Sequence, residues 1–81
     1  MSNPTEPVEV QEKQFGFFPK AFRWHGKRYD VKSVERSWTI ANRAPRHYFR
    51  VRCEEGLFLL YQDVNSSTWH LTRSSLGGWV K

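Results

Sequence analysis

The residues of this chain able to act as a nucleophile and its base are one cysteine, Cys53, and three histidines, His25, His47 and His70. A Cys–His pair needs hydrogen-bond reach and a third group to orient the base. Cys53 shares its alternation with Phe49 and Val51, so it points toward a core, where a thiol is inert. A metal centre finds no better material. There is no Cys-x-x-Cys, and His25 with His70 would supply two of the four ligands that structural zinc takes. Gly77-Gly78 leads into Trp79 with no helix to follow, which rules out a phosphate-cradling loop of the Walker or dinucleotide type. Glu54 and Glu55 are neighbours on an extended chain and point to opposite faces, so they are not an acid–base pair. The expectation is a non-enzymatic protein with no cofactor and no metal.

What the residue types do offer is a basic face with aromatic interleaving. The net charge is +5, concentrated in one stretch: from Lys20 to Arg52 ten Lys or Arg stand against Asp30 and Glu35, a balance of +8. Arg23, Lys32, Arg50 and Arg52 fall on outward positions of alternating segments, with Tyr48, His25 and His70 among them. Lys27 and Arg28 cap a turn, and Arg43 and Arg46 lie in or beside a loop. Single-strand nucleic-acid binders combine cations that track phosphates with rings on which bases stack. The candidate nucleic-acid-binding set is therefore Arg23, Lys27, Arg28, Lys32, Arg43, Arg46, Tyr48, Arg50 and Arg52. Trp24, Trp38 and Trp69 fall on inward parity, which leaves Tyr48, with Phe58 or Trp79, to stack. The expected partner is single-stranded DNA or RNA. The alternative is an acidic protein surface, or a partner strand taken up by the first strand or by the loop from Ile40 to Arg46.

The elements that must position these side chains are short strands. Phe22 and Trp24, then Tyr29 and Val31, are apolar on one parity around a turn at Gly26, with polar residues on the other, which marks a sheet with one dry face. Val8 to Lys13 reads as a short edge strand. Phe15 to Pro19 reads as an aromatic loop packed over an open end of the sheet. Between Val31 and Val34 the apolar parity changes. A β-bulge near Lys32–Ser33 would restore it and turn Val34 and Trp38 inward. His47 to Glu54 alternates cleanly, Glu55-Gly56 is a hairpin turn, and Leu57 to Asp63 is apolar on both faces. Asn65-Ser66-Ser67 is the next turn, and Thr68 to Arg73 is the last strand. The expected fold is all-β: a small open barrel or strongly curved antiparallel meander of five to six strands. It spans 8–73 as one domain, with tails at 1–7 and 74–81.

The order Phe22-x-Trp24-x-Gly26-x-x-Tyr29-x-Val31, Trp38, Tyr48-x-x-Val51, Glu55-Gly56, Leu60-Tyr61-x-Asp63 and Trp69-x-Leu71-x-Arg73 resembles a family of uncharacterised small bacterial β domains. The likeness covers residues 20–73. Its members carry no established activity. Some occur alongside translesion DNA polymerase components, which implies DNA before RNA. Such a pattern specifies a fold more than a function.

Eighty-one residues bury a modest core, and thirteen aromatic side chains, each able to bury about 150–250 Å², are the means of filling it. A single cysteine and no disulfide framework suit a reducing compartment. No signal peptide is expected, because no basic region followed by an apolar one opens the chain. No apolar run reaches the ~18 residues of a membrane span. A cytoplasmic location without membrane contact follows as the expectation.

Overall fold

The computed structural model describes residues 5–74. Six strands follow one another: β1 (Glu6–Gln14), β2 (Phe18–Trp24), β3 (Lys27–Ile40), β4 (Arg46–Cys53), β5 (Gly56–Asp63) and β6 (Thr68–Ser74). Each pairs antiparallel with the next, and β1 pairs with β6 through Glu6↔Leu71, Pro7↔His70 and Val8↔Trp69, which closes the barrel. The expected fold is a small open barrel or curved antiparallel meander of five to six strands; the structure is a small antiparallel barrel of six strands, and it is closed. β1 pairs with β6 over Glu6–Val8 and with β2 over Glu9–Gln14, so the stretch expected as an edge strand closes the barrel at Val8 and from Glu9 on has β2 as its one strand partner among the described residues. Its alternating Val8 and Val10 pack on the core while Glu9 between them faces water. Residues 1–4 and 75–81, including Gly77-Gly78 and Trp79, lie outside the described residues.

Two of the hairpins turn on consecutive left-handed residues. Phe15 (φ 57°) with Gly16 (φ 69°) joins β1 to β2, and His25 (φ 54°) with Gly26 (φ 76°) joins β2 to β3. Paired left-handed residues are the type I′ geometry whose twist matches that of the strands. Glycine adopts it freely, whereas a side chain in this region costs about 1–2 kcal/mol. The first turn also revises the reading of Phe15 to Pro19 as one loop. Phe18 and Pro19 belong to β2, and Pro19 is fully buried. Phe17 and Phe18 meet Phe49 edge-on at 5.4 and 5.9 Å between ring centres, so they do cover that end of the core. Phe15 does not: it is 85% exposed.

The core is one cluster: Phe22, Tyr29, Phe49, Val51, Cys53, Phe58, Leu60, Trp69 and Leu71. Every strand from β2 onward contributes to it, each through alternate residues. Phe22, Tyr29 and Phe58 pack ring against ring at centroid separations of 5.1 to 5.4 Å.

β3 does the bending. Its first residues, Lys27 to Asp30, pair with β2, and from Val31 to Ile40 it pairs with β4. The register shifts between Val31 and Ser33, where a bulge was expected, and again between Val34 and Arg36. The second shift overturns one expectation. With one bulge Trp38 would face inward beside Val34. The extra residue Glu35 reverses the parity, so Ser37 comes opposite core Phe49 and Trp38 comes opposite Tyr48 on the outer face. Trp38 is 36% exposed. Beyond Asp30 the side of β3 turned away from β4 has no strand partner among the described residues, and a groove of about 380 Å³ opens between it and the β1–β2 hairpin.

Candidate nucleic-acid interface

The interface is built on β4, because strand alternation sends Phe49, Val51 and Cys53 inward and Arg46, Tyr48, Arg50 and Arg52 outward. Cross-strand partners share a face, so the register names what stands beside each. Trp38 and Tyr61 flank Tyr48, Arg36 and Leu59 flank Arg50, and Ser33 and Leu57 flank Arg52. His70 stands opposite Tyr61 on β6.

The result is a row of rings running across four strands. Trp38 and Tyr48 stack with centroids 5.3 Å apart and planes 2° from parallel. Tyr48 and Tyr61 follow at 5.3 Å, and Tyr61 and His70 at 4.9 Å. At the His70 end the neighbouring position on β1 is Pro7. At the Trp38 end no strand follows among the described residues, so the row is open there.

Guanidinium groups frame it. Arg36 lies 5.4 Å from the centre of the Trp38 ring and Arg46 lies 4.4 Å from that of Tyr61. Arg46 also donates from Nη1 to the Tyr48 hydroxyl at 3.3 Å. That hydrogen bond is the chief reason its pKa is raised above the ordinary arginine value. With Tyr48, His70 and the Arg46 plane around it, Tyr61 is 5% exposed although it points outward. It is a support for the row, not a contact surface. Exposed area belongs to Trp38 and, in part, Tyr48.

Glu35 is the counter-charge. Its carboxylate accepts from Arg52 Nε at 2.7 Å and lies 3.7 Å from Arg50 Nε. The bulge that turns Trp38 outward also supplies this acid.

The other members of the expected set stand elsewhere. Arg23 lies on β2, in register with Glu9 and Arg28. Arg28 donates to Asp30 at 3.1 Å and to Glu12 at 3.2 Å, and these bonds raise its pKa, that to Asp30 foremost. Lys27 sits 3.5 Å from Glu55. Lys32 is the extra residue of the first bulge, exposed, and Arg43 is exposed in the β3–β4 loop. The structure thus gathers Arg46, Tyr48, Arg50 and Arg52 on one wall and leaves Arg23, Lys27 and Arg28 at the β2–β3 hairpin. Sequence reading missed Arg36, Trp38 and Tyr61. A signal for them was present: folding the chain back over the Ala41–Pro45 loop with Ile40 opposite Arg46 sets Trp38 against Tyr48 directly.

The groups weighed for catalysis are spoken for. Cys53 is 3% exposed, and its thiol is pushed up to about 12, by desolvation first and then by the nearby Glu55 and Asp30 charges. His25 Nε2 lies 2.6 Å from Glu6 Oε1, which also accepts from Trp24 Nε1 at 3.0 Å. His47 Nδ1 lies 2.8 Å from the Thr39 hydroxyl and His70 Nε2 2.9 Å from that of Thr68. Among the described residues no three His, Cys, Asp or Glu are grouped to hold a metal ion, and no helix is long and apolar enough to cross a membrane. Comparison with protein-family models, with curated proteins and with solved structures returns no match for this chain.

Proposed function

We propose that this protein is a non-enzymatic nucleic-acid-binding module that takes single-stranded DNA or RNA on the outer face of β3 to β6. The observation that carries the reading is the exposed Trp38–Tyr48 stack, open at its Trp38 end and framed by Arg36, Arg46, Arg50 and Arg52. A base laid on the free face of Trp38 extends an existing column of rings, and the guanidinium groups hold the phosphates on either side. Stacking of this kind is worth about 1–3 kcal/mol per base and tolerates any base. With one or two stacking positions the affinity falls in the weak, sequence-independent range of about 10⁻⁴–10⁻⁶ M at physiological salt. The resemblance to β domains found beside translesion polymerase components favours DNA. A lone buried thiol, Cys53, suits the reducing cytosol, where the reading places the protein.

The test is a fluorescence-anisotropy titration of labelled oligo-dT, oligo-U and a duplex, at low and at physiological salt. Expected is a preference for single strands and a steep loss with salt. Trp38→Ala should weaken binding by between about fivefold and a hundredfold, the factor that one lost stack represents. No binding at low salt would end the reading. Binding that Trp38→Ala leaves untouched would move it off this face.

A further inference from the structure

The unpaired side of β3 carries an inference that the aromatic row does not. From Val31 to Ile40 this strand pairs with β4 on one side and has no strand partner on the other among the described residues, since its pairing with β2 stops at Asp30. The stretch from Lys32 to Glu35 is irregular through its two bulges. From Arg36 to Ile40 the register is unbroken, opposite Arg50, Phe49, Tyr48, His47 and Arg46. In an antiparallel strand alternate residues turn both backbone groups to the same side. This stretch therefore presents a template for one further strand. The facing end of β2 does not fill it: its pairing with β3 ends at Ala21↔Asp30, and Pro19 beyond has no N–H to offer.

The space beside that template is shaped. Gln14, Phe18, Val34 and Ser37 line the groove together with Glu35 and Arg36. Phe18 and Val34 pack against the core, so the floor is apolar. Glu35 and Arg36 both line it, and the charges left unpaired beside it are positive. Lys20 on β2 and Lys32 on β3 are exposed, and neither they nor Arg36 has a carboxylate partner among the described residues, while Glu35 is turned onto Arg52 and Arg50.

We infer that the β3 edge from Arg36 to Ile40 is a docking site for an extended acidic peptide segment of a protein partner, which adds as a seventh strand. Its apolar residues, at alternate positions, enter the groove over Phe18 and Val34. Its carboxylates, on the intervening positions, meet Lys20, Lys32 and Arg36. Main-chain hydrogen bonds supply attachment and the alternation supplies selection. The backbone template, Lys20 and Lys32 lie outside the aromatic row, and Arg36 is shared with it.

The experiment uses the full ¹⁵N-labelled chain and a capped octapeptide of alternating Glu and Val. Expected are shifts and at least about tenfold slower hydrogen exchange at alternate amides between Arg36 and Ile40. The Lys20→Glu/Lys32→Glu double variant, whose substitutions are exposed, should keep the amide dispersion of the fold and bind the peptide about tenfold more weakly. A Lys–Val peptide that binds equally well would overturn the acidic assignment. Peptide addition that leaves the exchange of these amides unchanged would overturn the site. Edge amides already protected in a chain of dimer mass would give the edge to a second copy. The same alternating protection produced by oligo-dT would give it to nucleic acid, and either result defeats the proposal.

Discussion

Replacing Glu35 with Gln should tighten nucleic-acid binding, although it removes contacts that the fold makes. The Glu35 carboxylate lies 2.7 Å from Arg52 Nε and 3.7 Å from Arg50 Nε, and its side chain keeps 28% of its exposure. A phosphate docked on these guanidinium groups would sit roughly 8 Å from the carboxylate. Repulsion at that range in water is about 0.5 kcal/mol before screening. Removing it, and releasing the arginine it neutralises, amounts to about 0.5–1 kcal/mol, a two- to fivefold gain in affinity at low salt. One extra phosphate contact should steepen the logarithmic salt dependence by about 0.7 for a single strand. The loss of fold stability stays within about 1 kcal/mol, because both pairs are partly exposed. The assay is oligo-dT anisotropy across a salt series, with Glu9→Gln as the control. Glu9 is exposed on β1 beside Arg23, so its replacement adds the same charge away from the row. Equal affinities and slopes for the two variants would refute the path of phosphates past Arg50 and Arg52.

Three further outcomes follow from the geometry. Phe15→Asn should stabilise the barrel by about 1 kcal/mol, or roughly 4–8 °C in Tm, because it relieves a left-handed phenylalanine that is 85% exposed; a lower Tm would mean that the exposed ring makes contacts that matter. Cys53 in the folded chain should react with iodoacetamide at pH 8 at least about a hundredfold more slowly than in the unfolded chain, since burial pushes the thiol up to about 12; equal rates would contradict its burial. The Glu6 carboxyl is held below its ordinary value of 4.5 by the hydrogen bond from Trp24 and then by that from His25. A depressed carboxylate contributes stability that is complete above 4.5 and is lost as pH falls through the lower folded value. Thermal melts should therefore show a flatter acid limb for Glu6→Gln, and identical limbs would sink that assignment.

Strand alternation made most of this barrel readable. Phe22 and Trp24, Phe49 to Cys53, and Trp69 with Leu71 each declared a face, and the turns at Gly26 and at Glu55-Gly56, which the structure centres one residue earlier, declared how the faces were joined. The first bulge was legible because Tyr29 and Val31 disagree in parity with Val34. The second was not, because it lies between Val34 and a tryptophan. A large apolar ring argues for the core on burial energy alone, and only the cross-strand register with Tyr48 overrules it. The same misreading hid Arg36, whose parity is that of Trp38. Tyr61 escaped for a different reason: β5 is apolar on both faces, and nothing local tells a buried outward tyrosine from an inward one. The closure by β1 was likewise invisible, since a charged, alternating first strand reads as an edge until its partner is known.

That closure has a consequence for how the chain folds. Five of the six pairings join consecutive strands and can form as hairpins within microseconds. The sixth brings Glu6 to Leu71 across nearly the whole described chain. Closing a loop of that length costs on the order of 4 kcal/mol in chain entropy, and the cost falls before the contact returns anything. The seam that must repay it runs from Glu6 to Val8, whereas the β4–β5 ladder extends from Arg46 to Cys53. The meander therefore assembles first and the seam last, and on unfolding the seam parts first. A ring of hairpins has no intrinsic starting point, so a circular permutant with its ends moved to the Ala41–Pro45 loop keeps every pairing and relocates only the late step. It converts the shortest seam into a hairpin and leaves the longer β3–β4 ladder to close the barrel.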